Sequence, residues 1–266
     1  MRSFLNRWFG GKADPTGPRP IRDRGRPPSG NGASSLHLIW QVPAAGFTAV
    51  RATLEVAEPP QTSDLYFFAL QATFRGGGVD RGGGHIGLQW NRRHPGSTAA
   101  NWGGYRSQQL GGSVLAGTES GLPSRPDDPN TRDYPWQSHR RYRLSIDPGA
   151  EPGWWRGAIE DLATGEVSVI RELDGGGSHL TAPLVWSEVF APCDGPAVTV
   201  RWSDLQVAKE TGHWQTIDTV IANYQTWDAG GCTNTDNRAG VGMFEQVTNT
   251  VRRTPDQALL HLGDTR

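Results

Sequence analysis

The stretch from Asp64 to Asn91, DLYFFALQATFRGGGVDRGGGHIGLQWN, restricts the fold more than any other part of the chain. Successive side chains of a strand point to opposite faces. Tyr66, Phe68, Leu70, Ala72 and Phe74 therefore share one face of a first arm, and Phe67, Ala69, Gln71 and Thr73 share the other. In a second arm, His85 to Trp90, the apolar Ile86, Leu88 and Trp90 oppose His85, Gly87, Gln89 and Asn91. The alternation predicts two adjacent antiparallel strands, apolar on one side, at the heart of a β-sandwich. The second face carries amides and small residues. It suits either the floor of a shallow ligand groove or a sheet face wetted by solvent. RGGGVDRGGG between the arms reads as a flexible hairpin connection. It is not a phosphate loop, because no helix follows it and no Gly-Lys-Ser/Thr ends it.

Other segments agree with an all-β chain. Leu36–Val42, Phe47–Glu58, Arg140–Pro148, Trp154–Leu162, Glu166–Leu173 and Gly195–Val207 all read as strands, with Pro and Gly clusters between them. Arg92–Ser138 is irregular, and a short strand over Tyr105–Leu110 is expected within it. Trp214–Trp227 fits helical spacing but is dense in Thr, Ile and Val, and is read as strand. Closing strands are placed near Phe244–Arg252 and Ala258–Leu262. With 266 residues, one sandwich domain over 35–266 is ample for a core, although its part beyond about residue 208 is ambiguous. Residues 1–34 hold seven basic and two acidic side chains among Pro and Gly, and read as a disordered basic arm.

The formal net charge of −1 gives no case for nucleic-acid binding. No run approaches the ~20 apolar residues of a transmembrane helix. The first residues lack an apolar signal core, so the default expectation is a cytoplasmic protein unless the true start lies elsewhere. Two cysteines, Cys193 and Cys232, are too few for a disulfide scaffold. They form either one bridge between loops or, in a reducing compartment, two free thiols.

GGGHIGLQWN, WWRGAIEDLATGEVSVIREL and AVTVRWSDLQV resemble the concanavalin A-like, laminin G-like jelly rolls, and more narrowly uncharacterised bacterial domains of that superfamily. The resemblance covers about residues 37–207. It implies a two-sheet jelly roll and, often, carbohydrate or cell-surface binding, but it assigns no site, and fold alone does not fix function.

Glycoside hydrolases of that superfamily commonly carry E-x-D-x-x-E on one strand, and this chain does not. Glu160 and Asp161 are adjacent and so face opposite ways, and Gly165 marks a turn before Glu166. Histidines show no metal-binding spacing. Asp127, Asp128, Asn130 and Asp133 cluster oxygen donors that suit calcium, although Asp and Asn in such a loop need no metal. The loop Asp228–Asn237 has similar donors. Sugar rings stack on aromatic faces while amides hold hydroxyls. Trp102, Tyr105, Tyr134 and Trp136, with Asn101, Gln71 and Gln89, are therefore the candidate ligand-binding set, unless the tryptophans simply pack the long loop down. The expected function is a non-catalytic carbohydrate-binding module. The alternatives are a polysaccharide hydrolase or lyase with carboxylates dispersed over several strands, or a protein-interaction domain.

Overall fold

A computed structural model describes residues 21–43, 46–210 and 212–263. The strands, in chain order, are β1 (Ser34–Trp40), β2 (Ala49–Glu58), β3 (Tyr66–Gly76), β4 (Val79–Trp90), β5 (Thr98–Arg106), β6 (Thr131–Asp133), β7 (Arg141–Pro148) and β8 (Trp154–Asp161). They continue as β9 (Glu166–Asp174), β10 (His179–Val189), β11 (Thr199–Glu210), β12 (His213–Thr216), β13 (Thr219–Tyr224), β14 (Asp236–Ala239), β15 (Phe244–Val247) and β16 (Leu259–His261). One sheet runs β16-β13-β1-β10-β3-β4-β5-β6, and the other β14-β15-β11-β2-β7-β8-β9 with β12 attached to β11. The strand pairings are antiparallel, and the two sheets form a sandwich.

The β3–β4 hairpin sits inside the first sheet, and its pleat divides the side chains as the alternation requires. Tyr66, Phe68, Leu70, Ala72, Phe74, Ile86 and Leu88 enter the inter-sheet core, where they meet Leu54, Leu144, Ile146, Ile159 and Trp202 from the other sheet. Phe67 and Ala69 lie on the opposite side, with Leu184 and Trp186 of β10. The expected flexible connector is instead paired strand almost throughout, closed by a tight turn at Gly77 and Gly78. Both have positive φ, 62° and 77°, which the two-residue hairpin turn needs and glycine tolerates.

Trp102 fills the centre of the gap between the sheets and is fully buried. A Cβ at Gly84 of β4 would come within 2.6 Å of its ring, and one at Gly157 of β8 within 2.5 Å. The two glycines thus make room for one indole from both sides. The strand expected at Tyr105–Leu110 runs instead over Thr98–Arg106, and Gln108–Leu110 is a short 3-10 turn. Small residues in TAANWGGYR conceal the strand's alternation, in which Ala100, Trp102 and Gly104 face inward.

Strand β10 has no counterpart in the sequence reading. Its pattern is almost continuously buried, and it contains Pro183. A register shift between Thr181 and Leu184 accommodates the proline, with Ala182 at φ 48°. The ambiguous Trp214–Trp227 stretch is strand, as β12 and β13.

Of the expected disordered arm, residues 1–20 lie outside the described part. Residues 21–33 lie against the domain. Arg26 pairs with Asp64 at 2.9 Å, the Gly25 amide donates to Asp194, and Asn31 Nδ2 donates to Glu188. Cys193 and Cys232 are joined as a disulfide between two loops. No helix among the described residues is long and apolar enough to cross a membrane.

The Trp102 slot makes a direct prediction. Gly157→Ala should lower stability by about 1–3 kcal/mol, because the added methyl overpacks the indole and the opposite wall is already at contact. Urea unfolding of the variant measures this, and an unchanged midpoint would show that the ring is not wedged.

Candidate functional site

The outer face of the first sheet gathers polar and aromatic groups that the sandwich core does not require. Strand register arranges them in rows. One row runs Ser35, Glu188, Phe67, Gln89, Ala99 and Asp133 across β1, β10, β3, β4, β5 and β6. The next runs Asn223, His37, Trp186, Ala69, Gly87, Asn101 and Thr131. A third contains Ile39, Leu184, Gln71, His85 and Gly103. Ala69, Gly87, Ala99 and Gly103 are small and buried, so the larger side chains of the three rows close in over the middle of the face.

An aromatic cluster occupies one side. Phe67 and Trp186 meet edge-to-face at 4.9 Å, and His85 lies 5.6 Å from Phe67, 5.8 Å from Trp186 and 6.4 Å from Tyr105. Trp186 Nε1 donates to Gln71 Oε1 at 3.1 Å, which fixes the amide against the aromatic cluster. Desolvation holds the half-buried His85 near pKa 4, so its imidazole is neutral at pH 7. His37, buried beside Trp186 in the second row, is pushed to about 3 by burial, against a hydrogen bond to the Asn223 backbone.

Glu188 of β10 adds a carboxyl next to this cluster, in the same row as Phe67. Its side chain is buried, and burial raises its pKa to about 7 even though Asn31 Nδ2 donates to Oε1 at 2.8 Å. Buried acids are costly and tend to mark functional sites. Gln89 stands two strands away in the same row, with Oε1 accepting from Asn91 Nδ2 at 3.0 Å. Glu188 could not be singled out from the sequence, because β10 itself was not legible there. The available signal was W-S-E, which places Trp and Glu on one strand face.

The structure divides the sequence-derived ligand set. Gln71, Gln89, Asn101 and Tyr105 share the outer face, Asn101 donating to Thr131 Oγ1 at 2.9 Å. Trp102 and Trp136 are core residues, and Tyr134 packs against the core beside Tyr142. These three rings are turned away from the face and offer it no stacking platform. Trp136 Nε1 donates to the Gln89 carbonyl at 3.0 Å, so it supports the floor from below.

The acidic loop is tied to protein partners. Asp133 Oδ1 lies 2.6 Å from His94 Nδ1, and Asp128 Oδ1 accepts the Asn130 amide at 2.9 Å. Asp127 is exposed, and Asn130 packs beside Gly103. Among the described residues, no three or more His, Cys, Asp or Glu side chains are grouped to hold a metal ion. Glu160 and Asp161 are engaged in ion pairs, with Arg143 at 2.7 Å and Arg140 at 2.7 Å.

No family model matches this chain, and no curated protein matches it. Among solved structures, one similar chain is SCP-B, a member of the Eqolisin family of peptidases, in a complex with the tripeptide Ala-Ile-His. The identity is 13% and the TM-score 0.41, covering 80% of this chain and 96% of that one. Scytalido-glutamic peptidase with a peptide-based transition state analogue has 13% identity and a TM-score of 0.40 over the same shares of both chains. The enzymatically active domain of tailspike protein 2 of bacteriophage CBA120 has 16% identity and a TM-score of 0.31, covering 73% of this chain and 24% of that one.

The raised Glu188 pKa links to stability. An acid whose folded pKa lies above its unfolded value stabilises the fold below the unfolded value, and that contribution is lost as pH rises through the folded one. The unfolded value is near 4.5 and the folded one about 7. Glu188→Gln should therefore become more stable relative to the parent as pH rises from 5 to 8, by roughly 1–3 kcal/mol at the upper end. Paired urea titrations at the two pH values measure the difference. A constant difference would mean that the carboxyl titrates normally.

Proposed function

We propose that the outer face of the first sheet is a hydrolytic site for acyl bonds, with Glu188 handling the proton and Gln89 the carbonyl oxygen. The observation that carries this reading is the buried Glu188 carboxyl with a pKa of about 7, where an acid–base group is most useful at neutral pH. Ionised Glu188 takes a proton from a water as that water adds to the substrate carbonyl. The tetrahedral oxyanion accepts a hydrogen bond from Gln89 Nε2. Protonated Glu188 then returns the proton to the departing nitrogen or oxygen, and the carbon–heteroatom bond breaks. Asn31 holds Oε1 and leaves Oε2 for the water.

Glycoside hydrolysis fits the face less well. It needs two carboxyls about 5–9.5 Å apart. The other carboxylate in the Glu188 row is Asp133, four strands across, or about 19 Å at the usual ~4.8 Å strand spacing. The exposed Tyr105 ring beside His85, with Gln71 nearby, supports a second reading: non-catalytic recognition of a glycan, as the sequence suggests.

Purified protein should cleave members of a quenched peptide library or p-nitrophenyl esters, with a rate that rises as pH increases through about 7. Glu188→Gln should lower kcat by about 10²-fold or more, and Gln89→Ala by about 10²–10³-fold with little change in KM. Binding of a glycan by both the parent and Glu188→Gln, with no turnover of any acyl substrate, would favour the second reading instead.

A further inference from the structure

The outer face of the second sheet holds a separate cleft of about 280 Å³, near the lower end of ordinary small-molecule sites (~300–1,000 Å³). Its wall is built from guanidinium groups. Arg51 pairs across β2 and β7 with Ser145, and Arg143 stands two residues along the same strand, so the two side chains are diagonal neighbours on one face. Arg156 enters from β8, opposite Asp147. Three arginines line the cleft with two carboxylates, Asp147 and Glu160, and Asp204 lies within charge range of Arg51.

The internal partners leave part of this charge unmet. Arg143 Nη1 donates to Glu160 at 2.7 Å, but its Nε is buried with no hydrogen-bond partner among the described residues. Arg51 spends its Nε on Gln206 at 2.7 Å and stacks over Trp214 at 3.9 Å. The salt bridges of the described residues include neither Arg51 nor Arg156, whereas Arg201 on the same sheet face is shared by Glu55 and Glu245. Burial, and then the charge of Arg143, lower the Arg51 pKa, while the carboxylates of Asp147, Glu160 and Asp204 act to raise it. The opposite wall is apolar. Val167 and Val169 of the edge strand β9 line it, 59% and 43% exposed. Trp214 is carried over the cleft by the β11–β12 hairpin.

We propose that this cleft binds a small organic oxyanion, with its carboxylate- or sulfonate-type head between Arg51, Arg143 and Arg156 and its apolar body against Val169 and Trp214. The planar guanidinium forks match the oxygen geometry of such a head group. Arg51 and Arg156 have no salt-bridge partner among the described residues, and these two guanidiniums favour an anion over its neutral analogue. The site is on the sheet opposite Glu188, so it stands independently of the hydrolytic reading.

Benzoate and the neutral, similarly shaped benzamide separate head from body, and the arginine Nε–H signals in nitrogen-15 NMR report binding directly. Benzoate should shift the Arg51 and Arg143 signals with a millimolar dissociation constant, and benzamide should bind about 10-fold or more weakly. Arg143→Gln should weaken benzoate by about 10-fold, and the exposed Arg156→Gln by several-fold without disturbing the fold, while Arg201→Gln should leave it unchanged. Three results would each overturn the site: no benzoate shift up to about 50 mM, equal binding of benzamide, or benzoate binding indifferent to both Arg143→Gln and Arg156→Gln.

Discussion

Trp102 stands between the two sheets in contact with both, and the inward and outward sides of its strand follow from that placement. The indole sits between Gly84 and Gly157, fully buried, with Phe74 against it at 6.5 Å in edge-to-face geometry. Because Trp102 points inward, the pleat forces Asn101 and Gly103 outward on the same strand. The same rule acts on β3, β4 and β10. Each apolar residue committed to the core commits its neighbour to the outer face, which is how Phe67, Gln89 and Glu188 come to share one row. The site face is thus set by the core.

A buried polar group beneath the same stretch of β10 is handled differently from Glu188. Gln246 is buried, yet all four of its hydrogen-bonding positions are used: Oε1 accepts from Ser187 and Trp202, and Nε2 donates to Leu36 and Asn237. Such a satisfied group rigidifies a core at little cost. Glu188 has one protein donor and a pKa moved by burial, so it remains chemically unsettled near neutral pH. That contrast within one sandwich is the physical ground for assigning chemistry to Glu188 and structure to Gln246.

The central hairpin was legible because both of its arms alternate bulky and small side chains over many residues, and no local signal opposes the pattern. Gln71 and Gln89 were found on the outer face by that alternation alone. Trp102 was misassigned because its strand, TAANWGGYR, is made mostly of small residues that carry no visible period, so the ring looked like a loop aromatic. Trp136 and Tyr134 lie just after β6 in an irregular segment, where no strand pattern shows that their rings pack on the core. Glu188 was missed for the opposite reason: β10 is buried along nearly its whole length and bends at Pro183, so neither alternation nor a clean strand boundary shows. Orientation could be read where the two faces of a strand differ in chemistry, and it was lost where they do not.

Chemistry at this site depends on Glu188 being a buried acid poised near neutrality on the outer face of the first sheet. Carbon-13 NMR titration of its side-chain carboxyl, assigned by comparison with Glu188→Gln, measures this directly. A midpoint near pH 7 is expected, falling toward the ordinary glutamate range when residues 21–33 are loosened by Arg26→Ala, which keeps the Asn31 donor while water reaches the carboxyl. A midpoint near 4.5 in the intact protein would contradict the account, because an ordinary solvated glutamate would then have no chemical reason to stand in that row.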